Sequence, residues 1–191
     1  MINNSFDPFP TITTQHFVLR AISIEDAPAV YAMRSNPDVM RYIPIPLAQH
    51  LSDAEQLIHN FQTGIANGSS INWGITHISA GLCAALIGII GFVRINIPNY
   101  RAEIGYLLSP KMWNKGVISE VMPAVVQYGF EVMQLHSIGA IIDPSNIASQ
   151  RVLQKAGFVQ EAHFKEDCYF EGHFLDSVHF SLLRNIVAGK Q

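Results

Sequence analysis

The stretch Arg101 to Ala124 constrains the fold more than any other part of this chain. Its first half alternates, with Ile104, Tyr106 and Leu108 on one side and Glu103, Gly105 and Leu107 on the other, which is the period of a strand. Ser109-Pro110 ends that strand, because the proline ring removes a ladder donor and restricts the residue before it. From Gly116 the apolar spacing becomes helical, with Val117, Val121, Ala124, Val125, Tyr128 and Val132 on one face. Pro123 leaves the Ser119 carbonyl without an N–H partner and predicts a bend. The turn Trp113-Asn114-Lys115-Gly116 joins strand to helix. Such a succession builds an anion cradle, since the first helical N–H groups lack partners and the dipole is positive there. Gly116 lets backbone approach a phosphate closely and Lys115 adds charge, so a ligand carrying a pyrophosphate is expected.

The rest of the chain surrounds this unit with alternating strands and helices. Residues 1–15 read as an irregular arm and Phe17 to Ala21 as a first strand. Ser23 caps a helix running to Ser35, stopped by Asn36-Pro37, and Tyr42 to Pro46 is a stiff extended connection. Ser52-x-x-Glu55 reads as a capping box opening a second helix. Ile71 to Ile78 and Leu86 to Ile95 form a meander through a bend over Ser79 to Cys83, leading into the central strand. After the long helix come an apolar strand, Ser137 to Ile142, and a helix, Ile147 to Ala156, closed by Gly157. Phe158 to Phe164 and Phe174 to Leu183 then pair around Glu171-Gly172, and 185–191 is a loose tail. The order β-α-α-β-β-β-α-β-α-β-β gives an α/β (α+β) chain with one mixed sheet of about seven strands and four helices, in a single domain over 1–191.

Composition excludes several function classes. With 49% hydrophobic and 14% charged residues and a net charge of −3, no basic surface for nucleic acid is expected. The longest apolar run, Ala80 to Phe92, is broken by glycines and falls short of the roughly 18–20 residues a membrane span needs. The N-terminus shows neither the basic start nor the apolar run of a signal peptide, so the expected location is cytoplasmic. Cys83 and Cys168 form neither a metal pair nor a disulfide framework, and the eight histidines have no ligand spacing, so no metal is expected.

Four segments together resemble the GNAT acetyltransferases, and within them the RimJ/RimL type that acetylates N-termini of ribosomal proteins. They are Glu103-Ile-Gly-Tyr-Leu-Leu-x-Pro110, Trp113-Asn-Lys-Gly116-Val-Ile-Ser-Glu120, Asn146-x-x-Ser149-x-Arg-Val-Leu-x-Lys155-x-Gly-Phe158, and the hairpin from Glu161 to Leu183. The resemblance spans nearly the whole chain. It implies the GNAT fold, acetyl-CoA as cofactor, and transfer of the acetyl group to a primary amine by direct attack in a ternary complex. The acceptor would be a protein N-terminal amine or a small-molecule amine, and the enzyme a monomer or homodimer. Two positions depart from the family pattern: Asn114 stands for a glycine, and Ile118 for a small residue at the start of the helix, where it could crowd the cradle.

The resemblance also assigns roles. Main-chain groups of Leu107 and Leu108 would pair with the pantetheine arm, opened to it by a bulge at Gly105. Trp113 and the amides of Asn114, Lys115, Gly116, Val117 and Ile118 would hold the pyrophosphate. Asn146 would bond the pantetheine amide and Ser149 would protonate the leaving sulfur, although Asn146 could equally serve as a helix cap. Glu103 is the candidate base, or else the partner of Arg94 or Arg101 in an ion pair. Glu120 reads as structural, and Tyr42, Trp73 and Tyr169 as candidates for the acceptor wall. Two alternatives stay open: a non-catalytic acyl-CoA-binding or regulatory module, and a nucleotide-binding α/β domain, the latter lacking both phosphate-loop signatures.

Overall fold

A computed structural model of the chain describes residues 2–80 and 85–184. Cys83, most of the expected Ser79–Cys83 bend, and the 185–191 tail lie outside the described residues. Eight strands form one sheet in the order β1-β2-β3-β4-β5-β6-β8-β7. The strands are β1 (Ile12–Thr13), β2 (Phe17–Arg20), β3 (Ile71–His77), β4 (Gly88–Asn96), β5 (Arg101–Leu108), β6 (Ser137–Ile142), β7 (Val159–Phe170) and β8 (His173–Leu183). The helices are α1 (Ala27–Arg34), α2 (Pro37–Met40), α3 (Leu51–Ala66), α4 (Val117–Glu131) and α5 (Ile147–Lys155). The mixed α/β architecture is as expected, with one more strand and one more helix.

The added elements have simple causes. Asn36-Pro37 stops α1 and also starts α2: the Asn36 side-chain oxygen accepts from the Asp38 N–H at 2.9 Å, and proline suits the first helical position. The N-terminal arm is irregular only up to β1, where Ile12 and Thr13 pair with Leu19 and Val18 of β2, and it is packed, with Ile2 and Phe6 in the core and the Trp73 indole N–H donating to the Pro10 carbonyl at 2.8 Å. Helix α3 begins two residues earlier than Ser52-x-x-Glu55 implies, with His50 as its N-cap. There Asp53 accepts from the N–H groups of Gln49 (2.8 Å) and His50 (3.0 Å), so Glu55 is not the capping acid. Strand β7 runs past Phe164 to Phe170, and the Glu171-Gly172 turn has both residues at positive φ (46° and 86°), the twist-matched form for a hairpin.

The sheet is covered on both faces. On one side Ile90, Phe92, Ile104 and Ile138 pack with Val117, Val121, Met122 and Val125 of α4 and Leu153 of α5. On the other, Ile89 packs with Val30 and Met33 of α1 and Ala54 and Ile58 of α3. Helix α4 runs continuously through Pro123, buried over a wider arc than the one face read from its spacing; Val132, assigned to that face, is 45% exposed just past its end.

The feature that matters for function is a seam. Strands β5 and β6 are parallel neighbours and pair only at Arg101/Ser137, Ala102/Ile138 and Glu103/Gly139. Beyond Glu103 they part. The associated bulge lies in β4, not at Gly105: the register slips between Phe92 and Arg94, leaving Val93 as the extra residue opposite β5. Gly105 answers it from the facing strand, since a Cβ there would stand 3.0 Å from Val93 Cγ1.

Candidate active site

The opening between β5 and β6 continues into a cleft of about 480 Å³ walled by the end of β5, the starts of α4 and α5, and α2 with the segment after it. Tyr106, Leu107, Leu108, Trp113, Asn114, Gly116, Val117, Ile118, Asn146 and Ser149 all line it, so three distant segments of sequence meet there. Asp38, Val39, Tyr42 and Ile43 form a further wall. Lys115 and Glu103 are not among the lining residues. A second depression of about 440 Å³ lies at the opposite end of β5, against Tyr100, His136 and Arg184, where the Arg184 guanidinium already donates to Gln134 at 2.9 Å. It lacks the convergence of helix starts and open strand edge that marks the first cleft.

Register decides which strand groups are free. The Ser109 N–H donates to the Ile87 carbonyl at 2.9 Å, so 109 and 87 face each other as a hydrogen-bonded pair. In an antiparallel ladder such pairs alternate, which makes Leu107/Ile89 bonded and Leu108/Gly88 non-bonded. The main-chain groups of Leu107 therefore serve β4. Those of Tyr106 and Leu108 turn toward β6, where the ladder has ended. The Leu108 carbonyl accepts from the Trp113 indole N–H at 2.9 Å, which leaves its N–H facing the gap.

The turn before α4 has the shape its residues dictate. Asn114 (φ 59°) and Gly116 (φ 76°) are both left-handed, and asparagine bears that conformation better than most residues. A Cβ on Gly116 would meet nothing within 4 Å, so the space beside it is open. The first intrahelical bond runs from the Glu120 N–H to the Gly116 carbonyl at 3.0 Å, and helix geometry leaves the N–H groups of Val117, Ile118 and Ser119 without intrahelical acceptors. Ile118 is 6% exposed and packed in the core beneath α4, while still lining part of the cleft.

On α5, the Asn146 side-chain oxygen caps the helix by accepting from the Ser149 N–H at 3.1 Å. Glu103 is held by Arg94, whose Nη1 lies 3.0 Å from its Oε2, while Arg101 turns instead to Ser181 (3.0 Å) and Ser137. Glu120 binds the N-terminal arm. Its Oε1 accepts from Thr14 Oγ1 (2.6 Å) and the His16 N–H (2.8 Å), and its Oε2 meets His16 Nδ1 at 2.8 Å. Partial burial raises its carboxyl, but these hydrogen bonds outweigh it and hold the group below the ordinary glutamate value.

Of the aromatic residues offered for the acceptor wall, Tyr42 lines the cleft. Trp73 is fully buried in the core, where an indole with a satisfied N–H belongs, and Tyr169 packs against Phe174 at a tilt out on the hairpin. Tyr106, read only as a strand residue, lines the cleft as well. Its hydroxyl is buried without a hydrogen-bond partner, and burial pushes it above the ordinary tyrosine value, with Ser149 acting in the opposite direction. The signal that could have found it is chemical: a phenol on a core-facing strand position needs a partner. Among the described residues, no cluster of three His, Cys, Asp or Glu side chains could hold a metal, and no helix is long and apolar enough to cross a membrane.

The crevice at the β5–β6 split, capped by the N-terminus of α4, is the candidate active site, and the comparisons give the class of the protein that carries it. The chain belongs to the acetyltransferase (GNAT) family, whose domain profile matches residues 16–159. It is 35% identical over 176 residues to an uncharacterized N-acetyltransferase, YoaA, of Bacillus subtilis, covering 92% of this chain and 98% of that protein. Its fold matches a GNAT-family acetyltransferase from Bacillus anthracis with a TM-score of 0.81 at 28% identity, over 92% of this chain and 99% of the other. It also matches RimL, a ribosomal L7/L12 α-N-protein acetyltransferase solved with coenzyme A, with a TM-score of 0.81 at 17% identity, over 91% and 98% of the two chains. The chain is therefore an acetyl-CoA-dependent acyltransferase of the N-acetyltransferase class, and acetyl transfer to an amine is the general reaction.

Proposed function

We propose that this enzyme acetylates a primary amine by direct attack on acetyl-CoA in a ternary complex. The single observation that carries this reading is the opened β5–β6 seam, with the Tyr106 and Leu108 main-chain groups facing it directly below the free amides of α4. An extended pantetheine arm can hydrogen-bond to that strand edge as an added strand would. Its pyrophosphate then meets the amides from Asn114 to Ile118 and the positive end of α4, with Lys115 contributing charge from outside the cleft. The free amide of Asn146 reaches the arm from the other wall, while its oxygen caps α5.

With the thioester seated between β5 and α5, an amine entering past Asp38 and Tyr42 attacks the carbonyl carbon. The C–N bond forms, the oxyanion takes the Leu108 N–H, and the C–S bond breaks as Ser149 protonates sulfur. Glu103 sits where the strands begin to part and removes the amine proton through water. Asp38 gives the acceptor wall a carboxylate, which suits a protonated amine, whether a protein N-terminus or a small molecule.

The test is thiol release from acetyl-CoA across a panel of peptides and small amines, beside melting curves with CoA, acetyl-CoA and ATP. Turnover with at least one amine and stabilisation by CoA but not ATP is expected. Binding without turnover on every acceptor would leave a non-catalytic acyl-CoA-binding module instead. Glu103→Gln should lower kcat more than it weakens CoA binding, whereas Asp38→Asn should raise the acceptor KM; the reverse pattern exchanges their roles.

A further inference from the structure

Among the described residues, Tyr106 brings to the cleft a buried hydroxyl that the roles assigned above leave unused. Its side chain packs on the α4–α5 side of β5, beside Ile104 and Leu108, and lines the cleft, while its hydroxyl is buried with no hydrogen bond. An unpaired buried hydroxyl carries a desolvation cost that a structural tyrosine avoids. Phenylalanine would fill the same space at no such cost. Ser149 faces Tyr106 from α5 across the seam, and its side chain acts on the phenol without forming a bond of ordinary geometry. Two hydroxyls thus oppose each other on the two walls between which the acetyl-sulfur bond must be placed.

We propose that Tyr106 is a positioning residue for the acyl transfer: its hydroxyl donates to Ser149 Oγ and so turns the Ser149 proton toward the leaving sulfur. The inference rests on the transfer reading above. As the C–S bond breaks and its electron pair goes to sulfur, Ser149 gives sulfur its proton and takes the proton of Tyr106 in the same movement. The phenolate regains a proton through water from Glu103, which has taken one from the attacking amine, so all three groups end as they began. A serine hydroxyl alone is too weak an acid to lose a proton outright, and the tyrosine behind it keeps an alkoxide from forming.

The experiment compares wild type, Tyr106→Phe, Ser149→Ala and the double variant by kcat, KM for acetyl-CoA and the pH profile of kcat. Tyr106→Phe should lower kcat by roughly tenfold or more with KM nearly unchanged, and alter the alkaline limb of the profile. Because the two hydroxyls act as one unit, the double variant should be no slower than Ser149→Ala alone. Wild-type kcat in Tyr106→Phe, or losses that multiply in the double variant, overturns the proposal. A spectroscopic titration reads the pairing without turnover: Ser149→Ala should move the Tyr106 ionisation upward, and an unmoved titration also overturns it. Failure of the transfer reading looks different, because then wild type itself releases no thiol with any amine while Tyr106 still responds to Ser149→Ala.

Discussion

The indole N–H of Trp113 donates to the carbonyl of Leu108 at 2.9 Å, fastening the turn before α4 to the end of β5. The bond spans five residues and is exposed, yet it fixes the two walls of the cleft relative to each other and satisfies the Leu108 carbonyl. Trp113→Phe keeps a ring and loses the donor. Its cost should be about 1 kcal/mol, read as roughly a fivefold rise in the CoA dissociation constant by calorimetry, with little change in the melting temperature of the free enzyme.

Gly116 separates backbone strain from ligand contact. At φ 76° an alanine is strained, and about 1 kcal/mol of stability should be lost. The added Cβ meets no protein atom within 4 Å, so nothing in the free enzyme is displaced. The same methyl projects into the open space assigned to the pyrophosphate. Gly116→Ala should therefore weaken CoA by far more than it destabilises the fold, as paired melting curves with and without CoA would show.

Glu120 makes stability depend on acid pH through its hold on the arm. Its carboxyl is depressed in the folded protein, so its contribution is complete above the ordinary glutamate value of roughly 4.3 and is lost as pH falls through the folded value. Glu120→Gln should melt earlier than wild type at neutral pH, and the two curves should converge in acid. Solvent screening at this partly exposed site limits the effect to about 1 kcal/mol or less.

Gly91 faces the backbone of β3 so closely that a Cβ would stand 2.2 Å from the Ile71 carbonyl oxygen and 2.6 Å from the Asn72 Cα. Neither atom can yield without parting two central strands. Gly91→Ala should cost about 3 kcal/mol or more, seen as a large fall in the urea midpoint or as insoluble protein. Gly105→Ala, opposed only by a side-chain methyl at 3.0 Å, should cost clearly less.

The strand-turn-helix unit was legible because each of its residues has one local job: Pro110 stops, Gly116 turns left-handed, and Val117 and Val121 face inward. The bulge was not. Val93 is an ordinary strand residue by type, and the glycine that accommodates it sits on the neighbouring strand, so the sequence signal at Gly105 points one strand away from its cause. The roles of Leu107 and Tyr106 depend on which way successive amides turn, and that parity follows from pairing with Ile87 and Ile89, beyond what any local pattern carries. Helix α2 was hidden for a different reason. Asn36-Pro37 punctuates one helix and opens the next with the same two residues.

The short β5–β6 ladder has one last consequence. With three rungs between them, the β1–β5 and β6–β8 portions of the sheet are stitched at one end and unstitched at the other. A ligand lying along that edge, as proposed, would supply rungs the polypeptide omits, so part of the enzyme's rigidity would arrive with it. The amide protons of Tyr106 and Leu108, poised on the unstitched edge, are the ones whose exchange with solvent should slow most when it docks.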